Sequence, residues 1–265
     1  MADQSFNDDL RLAHVLADNA DSITMSRFKA LDLRVDAKPD STPVTDADVA
    51  VEDGIRRILA RSRPRDAVHG EERADTGWGP RRWVIDPIDG TKNFLRGVPV
   101  WATLIGLMYA DEVVVGVVSA PALGRRWWAC QGGGAFAGKS LMSCDRIEVS
   151  GVSRVEDASL SYASIGGWVE AGLGQEFVDL LRGCWRTRAY GDFWSYMLLA
   201  EGAVDIATEP ELSLHDMAAL DVIVTEAGGR FTNLDGRPGP HGPGAIATNG
   251  LLHDDIVTRF ADNAD

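Results

Sequence analysis

The sequence predicts a layered α/β fold with two sheets. Between about residues 83 and 149 short apolar strands follow one another through tight turns, the pattern of an antiparallel sheet. From residue 159 onward strand-like and helix-like segments alternate. Two amphipathic helical patterns precede both regions.

Leu10, Ala13, Ala17 and Ala20 recur at helical spacing, with Leu16 and Ile23 widening the stripe, which predicts a helix over 6–30. DAKPDSTPVTDAD then reads as a polar loop. A second helix is expected over 46–61, with Val51, Ile55 and Ile58 or Leu59 facing inward. Gly, Pro and charge mark 62–82 as loops. WVID (83–86) is a short strand. TLIGLMY (103–109) and EVVVGVVSA (112–120) read as a hairpin turning at Ala110–Asp111, followed by strands at 125–130, 134–137 and 146–149. Beyond these, strands are expected at 159–164, 185–189, 204–208, RFTN and AIATN. Helices are expected at 174–182, 193–201, 215–227 and 251–261, the third stopping at Gly228–Gly229.

The chain has 265 residues, 45% of them hydrophobic, and a formal net charge of −14. Such a chain can build a core, which excludes intrinsic disorder. A nucleic-acid binder needs Lys and Arg against phosphate, and an anionic membrane needs a basic face; the acidic balance argues against both. The longest apolar stretches, near 112–123 and 217–224, are too short to span a bilayer, and the first residues lack a secretory pattern. Cys130, Cys144 and Cys184 form no metal-binding spacing, so thiols in a reducing cytoplasm are expected. The five histidines are scattered, and most read as surface or capping residues.

WVIDPIDGTKNF (83–94) carries the chemistry. A strand is expected to end at Asp86, with Pro87 stopping the ladder and fixing a turn. Asp89 follows three residues later, so both carboxylates can leave one strand end together. Gly90 permits close backbone approach, and Thr91 and Lys92 open a helix whose N–H groups suit a phosphate. Two acids beside an anion-binding turn imply a cation between them, and Mg²⁺ takes oxygen ligands completed by substrate phosphate. Glu71 and Glu72 of HGEER, Asp46 and Asp48 of VTDAD, and Asp216 of LSLHDMAAL could join. Taken singly, each also fits a helix cap or a solvated loop.

The order GEE, WVIDPIDGTKNF, then HD opening a helix that ends EAGG resembles the inositol monophosphatase superfamily of Mg²⁺-dependent, lithium-sensitive phosphatases, over about residues 10–260. The resemblance implies a five-layered αβαβα sandwich formed by one domain over 1–265, with an antiparallel-sheet half carrying the metal site to about 150 and an alternating half after it. It implies metal ligands at Glu71, Asp86, the Ile88 carbonyl, Asp89 and Asp216 for two or three Mg²⁺. Glu71 and Thr91 would orient and deprotonate the attacking water, with Asp48 as an outer-shell residue and Glu52 beside it on the same acidic helix. Gly90 and Thr91 amides would hold the phosphate, and Asp89 and Asp216 would fix the metal nearest the leaving oxygen. A cytoplasmic homodimer acting on a small phosphorylated substrate is also implied.

The segment RAYGDFWSYMLLAEGAVDIATEP (188–210) walls the family's pocket beyond the phosphate. By that resemblance Gly191, Asp192, Phe193 and Glu209 face the leaving group. Inositol-type members carry a small or hydroxylated residue where Asp192 stands. Two carboxylates facing the alcohol favour a cationic group, and histidinol phosphate has an ammonium and an imidazole. RAYGDFWSY, VPVWATLIGL and RRWWA are similar to the actinobacterial histidinol-phosphate phosphatases, which implies a step of histidine biosynthesis. Asp192 also stands where an N-cap of the helix at 193–201 would. His215 replaces a Trp common in the family. The alternatives are an inositol-1-phosphate or broad sugar-phosphate phosphatase and, outside enzymes, a metal-binding paralogue without catalysis. Trp127, Trp128, Trp185 and Trp194 could be core, pocket or interface residues, with core the default.

Overall fold

The computed structural model describes residues 6–38 and 42–261. Two helices open the chain, α1 (Asn7–Arg27) and α2 (Asp46–Ser62), with a hairpin of β1 (Val35–Ala37) and β2 (Pro43–Thr45) between them. That hairpin lies in the stretch expected to be loop. Its strands are three residues each with little apolar alternation, so composition hides them. Residues 39–41, within the same stretch, lie outside the described residues.

A seven-stranded sheet follows: β3 (Ala67–Gly70), β4 (Arg81–Asp89), β5 (Ala102–Tyr109), β6 (Glu112–Ala120), β7 (Arg125–Cys130), β8 (Gly134–Ser140) and β9 (Ser143–Ile147). The strands lie in chain order; β3 and β4 are parallel and every later pair is antiparallel. β3 corrects the expectation of loop throughout 62–82: its four residues pair with Arg82–Ile85, a tertiary partner that local pattern cannot announce. α3 (Thr91–Arg96) starts at Thr91 as expected, after Gly90 in the left-handed region at φ 84°.

The second sheet has the order β11-β10-β12-β14-β13 and contains β10 (Ser159–Ser161), β11 (Arg186–Arg188), β12 (Ile206–Glu209), β13 (Arg230–Thr232) and β14 (Ala245–Thr248). Its helices are α4 (Ile165–Glu170), α5 (Gly174–Gly183), α6 (Asp192–Ala200), α7 (Leu214–Glu226) and α8 (His253–Ala261). The strand expected over 159–164 is shorter because Ser164 instead caps α4, accepting from the Gly166 N–H.

Alternation along the strands builds five layers. Trp83, Ile85, Ile105, Leu107, Val115 and Val117 face α1 and α2. Val84, Leu104 and Val118 face the other way, onto α6 and α7. Those helices in turn cover one face of the second sheet, and α4, α5 and α8 cover its outer face through Trp168, Phe177, Leu180 and Ile256. Burial of side chains this large contributes about 2–3 kcal/mol each. The αβαβα order matches the expected sandwich.

Two glycines set how closely α7 approaches the first sheet. A Cβ on Gly116 would lie 2.7 Å from the Ala219 carbonyl, and one on Gly106 would lie 3.0 Å from the Ala218 Cβ. Without side chains there, α7 lies flat on β5 and β6. Its first turn, with Asp216, then reaches the end of β4.

Not every aromatic or imidazole sits as expected. Trp127 and Trp128 are buried, but Trp194 is half-buried and Trp185 is 71% exposed beside the sheet-edge strand β11. His14 and His253 are buried, not surface residues, and burial lowers each to a pKa of about 4. The His253 ring bonds the hydroxyls of Thr232 and Thr248, pinning the start of α8. The three cysteines are free thiols. Among the described residues no helix is long and apolar enough to cross a membrane.

Candidate active site

β4 does not end at Asp86. It runs on through Pro87 to Asp89, and its register against β5 slips: Asp86 faces Leu104 and Asp89 faces Ala102. Three residues on β4 thus span two on β5, which is a bulge of one residue. In a regular strand positions three apart point to opposite faces. The extra residue restores the phase, so Asp86 and Asp89 both face α7. Pro87 suits the bulge because it has no N–H to leave unpaired. Its carbonyl is held by the Thr103 hydroxyl at 2.7 Å.

Asp216 completes the cluster from α7. One carboxylate oxygen from each of Asp86, Asp89 and Asp216 lies within 4.8 Å of the others. Asp89 and Asp216 are each oriented by a further backbone contact. The Phe193 N–H, opening α6, donates to Asp89 Oδ2 at 2.6 Å. The Ser213 N–H donates to Asp216 Oδ2 at 2.7 Å in a capping box. Asp86 is 2% exposed and its Oδ1 has no hydrogen-bond partner among the described residues.

Burial and mutual repulsion raise the whole group. Asp86 and Asp89 are pushed well above the usual carboxylate range, first by burial and then by neighbouring acids: Glu71 foremost for Asp86, Asp192 for Asp89. Asp216 is raised by burial, opposed by His215. An orphaned buried oxygen, an all-oxygen donor set and uncompensated negative charge together fit a hard divalent cation.

Glu71 stands at the rim of this trio. Its Oε1 lies 2.5 Å from Lys38 Nζ, which also reaches Glu72 at 2.8 Å. Lys38, missed in the sequence, follows β1 at the end of that described stretch. The loop carrying Glu71 is fixed from behind by Glu52, fully buried on α2, which accepts from the Glu72 N–H and from Arg56 Nε, each at 2.7 Å. Gly70 allows this: a Cβ there would lie 2.1 Å from Glu52 Oε1. Asp48 closes the capping box of α2, its Oδ2 accepting from the Thr45 N–H and hydroxyl. Its Oδ1 is buried and unpartnered among the described residues, and burial raises its pKa to about 6. The Thr91 hydroxyl donates to the Ile88 carbonyl at 3.0 Å.

These acids open into a cleft of about 700 Å³ that runs from Gly90 and Thr91 to Asp192, Phe193 and Glu209. Asp192 is not an N-cap. Gly191 occupies that position at φ 80°, ψ 163°, and Asp192 is the first helical residue, itself at φ 50°. Its Oδ2 instead accepts from Asn93 Nδ2 at 3.0 Å. Burial raises Asp192 to a pKa of about 6 and Glu209 to about 8, with neighbouring acids adding to each. Glu209 is 6% exposed and its Oε1 is unpartnered among the described residues. Asn93, His215 and Tyr196 also line the cleft. The His215 ring stacks on that of His69 with centroids 6.0 Å apart, and its Nε2 lies 3.7 Å from Asp216 Oδ1. Asn93 and Tyr196 were not singled out in the sequence. Asn93 lies within the motif yet carries no charge signal, and Tyr196 reads as core.

The sequence profile of the inositol monophosphatase family matches residues 8–263. The chain belongs to that family. A histidinol-phosphatase of Streptomyces coelicolor is 66% identical over 254 residues, covering 94% of this chain and 96% of the relative. One of Mycobacterium tuberculosis is 59% identical, covering 96% and 98%. Among solved structures, an inositol monophosphatase from Zymomonas mobilis superposes with a TM-score of 0.85 at 32% identity, covering 97% of this chain and 99% of that one. The family is metal-dependent, and the acidic cluster of this member accords with that.

Proposed function

We propose that this protein is a Mg²⁺-dependent phosphomonoesterase that hydrolyses L-histidinol phosphate to L-histidinol and phosphate. The observation that carries the substrate is the acidic far wall of the cleft, Asp192 and Glu209, in a chain 66% identical to a histidinol-phosphatase. Two carboxylates beyond the phosphate site favour an alcohol bearing positive charge over a neutral polyol.

Asp86, Asp89 and Asp216, with Glu71 and the Ile88 carbonyl, would hold two or three Mg²⁺. When bound, Mg²⁺ supplies positive charge to the phosphate oxygens and makes water acidic enough to attack at neutral pH. The Gly90 and Thr91 amides hold the phosphate. Thr91 spends its hydroxyl proton on the Ile88 carbonyl, so its oxygen is left to accept a hydrogen bond that orients the attacking water. Glu71, whose Oε1 lies 2.5 Å from Lys38 Nζ, takes the water's proton as general base. Asp48, behind Glu71, holds an outer-shell water through its unpartnered oxygen. Gly191 and Phe193 shape the entrance to α6, which sets Asp192 against the alcohol. A homodimer belongs to the same reading, and sedimentation equilibrium reads it directly.

Inositol-1-phosphate hydrolysis is the second reading, favoured by the structural likeness to inositol monophosphatases. A phosphate-release panel decides between them: histidinol phosphate, inositol 1-phosphate, fructose bisphosphate and a nucleotide 3′-phosphate, with Mg²⁺ and with added Li⁺. Preference for histidinol phosphate and inhibition by Li⁺ are expected. Preference for inositol 1-phosphate selects the second reading, and no release from any substrate selects a metal-binding protein without catalysis.

A further inference from the structure

We propose that Tyr196 is a specificity-determining residue of this cleft, its hydroxyl joining Glu209 Oε1 to receive the ammonium of a 2-amino-alkyl phosphate. The inference rests on the proposed reaction and adds a contact to it.

Tyr196 lies one turn beyond Phe193 on α6, and both line the cleft. Its ring packs in the core against Phe231, centroids 5.8 Å apart. The residue is 1% exposed, yet its hydroxyl has no hydrogen-bond partner among the described residues. A buried phenol usually finds one, because leaving it unpaired costs about 1–3 kcal/mol. Phenylalanine would fill the same space at no such cost, so packing does not explain the oxygen. Glu209 lines the same cleft, and its Oε1 is buried and unpartnered as well. Two residues lining this cleft therefore carry orphaned polar atoms.

The surroundings decide what they take. Burial foremost, and then Glu209, Asp216 and Asp89, oppose ionisation of the Tyr196 hydroxyl. It stays a neutral hydroxyl, with one proton and two lone pairs. Its lone pairs can accept from a ligand donor. A ligand group placed there must be rich in donors and positively charged. An ammonium has three donors and no lone pair, so it satisfies Tyr196, Glu209 and Asp192 together. The placement also fits the chain length: in a 2-amino-alkyl phosphate two carbons separate the ester oxygen from the amine. The ester end belongs beside Asp89 and Asp216, next to this wall. A site built from buried acceptors rejects an analogue without the matching donor more strongly than an apolar pocket rejects a missing methylene.

The test compares kcat/KM for L-histidinol phosphate and for its deaminated analogue, 3-(imidazol-4-yl)propyl phosphate, in wild type and Tyr196→Phe. Wild type is expected to prefer the aminated substrate. Tyr196→Phe is expected to reduce that preference about tenfold or more, mainly through KM, the scale of one hydrogen bond to a charged group. Thermal midpoints with Mg²⁺ show whether the fold is kept. If Tyr196→Phe folds poorly, Tyr196→Met, with similar apolar volume, reads the same ratio. An equal loss on both substrates, or no loss, overturns the inference while leaving the proposed reaction standing. A wild-type enzyme that leaves histidinol phosphate intact overturns the reaction itself.

Discussion

The Phe193 N–H donates to Asp89 Oδ2 at 2.6 Å, joining the first turn of α6 to the bulged end of β4 across 104 residues of sequence. One bond thereby orients a candidate metal-binding carboxylate and fixes the helix that carries the proposed substrate wall. Asp89 Oδ1 remains available for the proposed cation.

Replacing Asp89 by Asn keeps the size of the side chain and removes its charge. Turnover at saturating Mg²⁺ is expected to fall at least ~100-fold, the scale of losing one preorganised electrostatic contact. Near-parental turnover in the purified variant would remove Asp89 from the site.

Gly70→Ala should damage the site without touching a candidate ligand. The new Cβ meets Glu52 Oε1 at 2.1 Å, so the buried Glu52 must shift and release the Glu72 N–H. A loss of about 1–3 kcal/mol in unfolding free energy is expected, as for other overpacked interiors. Activity should fall with it, because the loop carrying Glu71 loses its support. Unfolding in urea and steady-state kinetics measure the two effects; unchanged values for both would show that the loop does not depend on Glu52.

Without divalent cations, stability should fall as pH rises from about 5 to 8. Glu209 has a folded pKa of about 8 against 4.5, and Asp192 about 6 against 3.8. Within those windows the folded state holds protons that the unfolded state has released, so the slope of stability with pH is negative. A cation binds the deprotonated carboxylates, so stabilisation by Mg²⁺ should grow over the same range. Thermal midpoints at several pH values, with EDTA or Mg²⁺, check both signs. Glu209→Gln should flatten the slope in EDTA, and an unchanged slope would show that Glu209 does not set it.

Asp192 sits at φ 50°, where a Cβ is strained. Asp192→Gly and Asp192→Ala both remove the carboxylate and its bond to Asn93, but only Gly removes the strain. The Gly variant should be more stable than the Ala variant by about 1–2 kcal/mol. Both should lose more activity on histidinol phosphate than on inositol 1-phosphate. Equal losses on the two substrates would remove the argument from charge.

Much of this was legible before folding. The strands from β5 to β8 announce themselves by alternation and turns, and Asp86, Asp89 and Asp216 stand out through motif spacing. The phase of Asp86 and Asp89 was not legible, because a bulge is defined only against the neighbouring strand. β3 was hidden for the same reason: Ala67–Gly70 becomes a strand by pairing with β4. Asp192 looked like an N-cap by position, and only the backbone shows Gly191 in that role. Tyr196 reads as one apolar residue among several on α6. Its orphaned hydroxyl is a property of the assembled cleft.

The net charge of −14 bears on order of binding. A phosphate ester approaching the raised carboxylates alone meets repulsion, and Mg²⁺ reverses the local sign, so metal is expected to bind before substrate. The most direct measurement is phosphate release from L-histidinol phosphate as Mg²⁺ is titrated into EDTA-stripped enzyme, beside inositol 1-phosphate at matched concentration. The account predicts no release without metal, saturable activation by Mg²⁺, and a kcat/KM for histidinol phosphate well above that for inositol 1-phosphate. Release that ignores Mg²⁺, or a preference for inositol 1-phosphate, would contradict it.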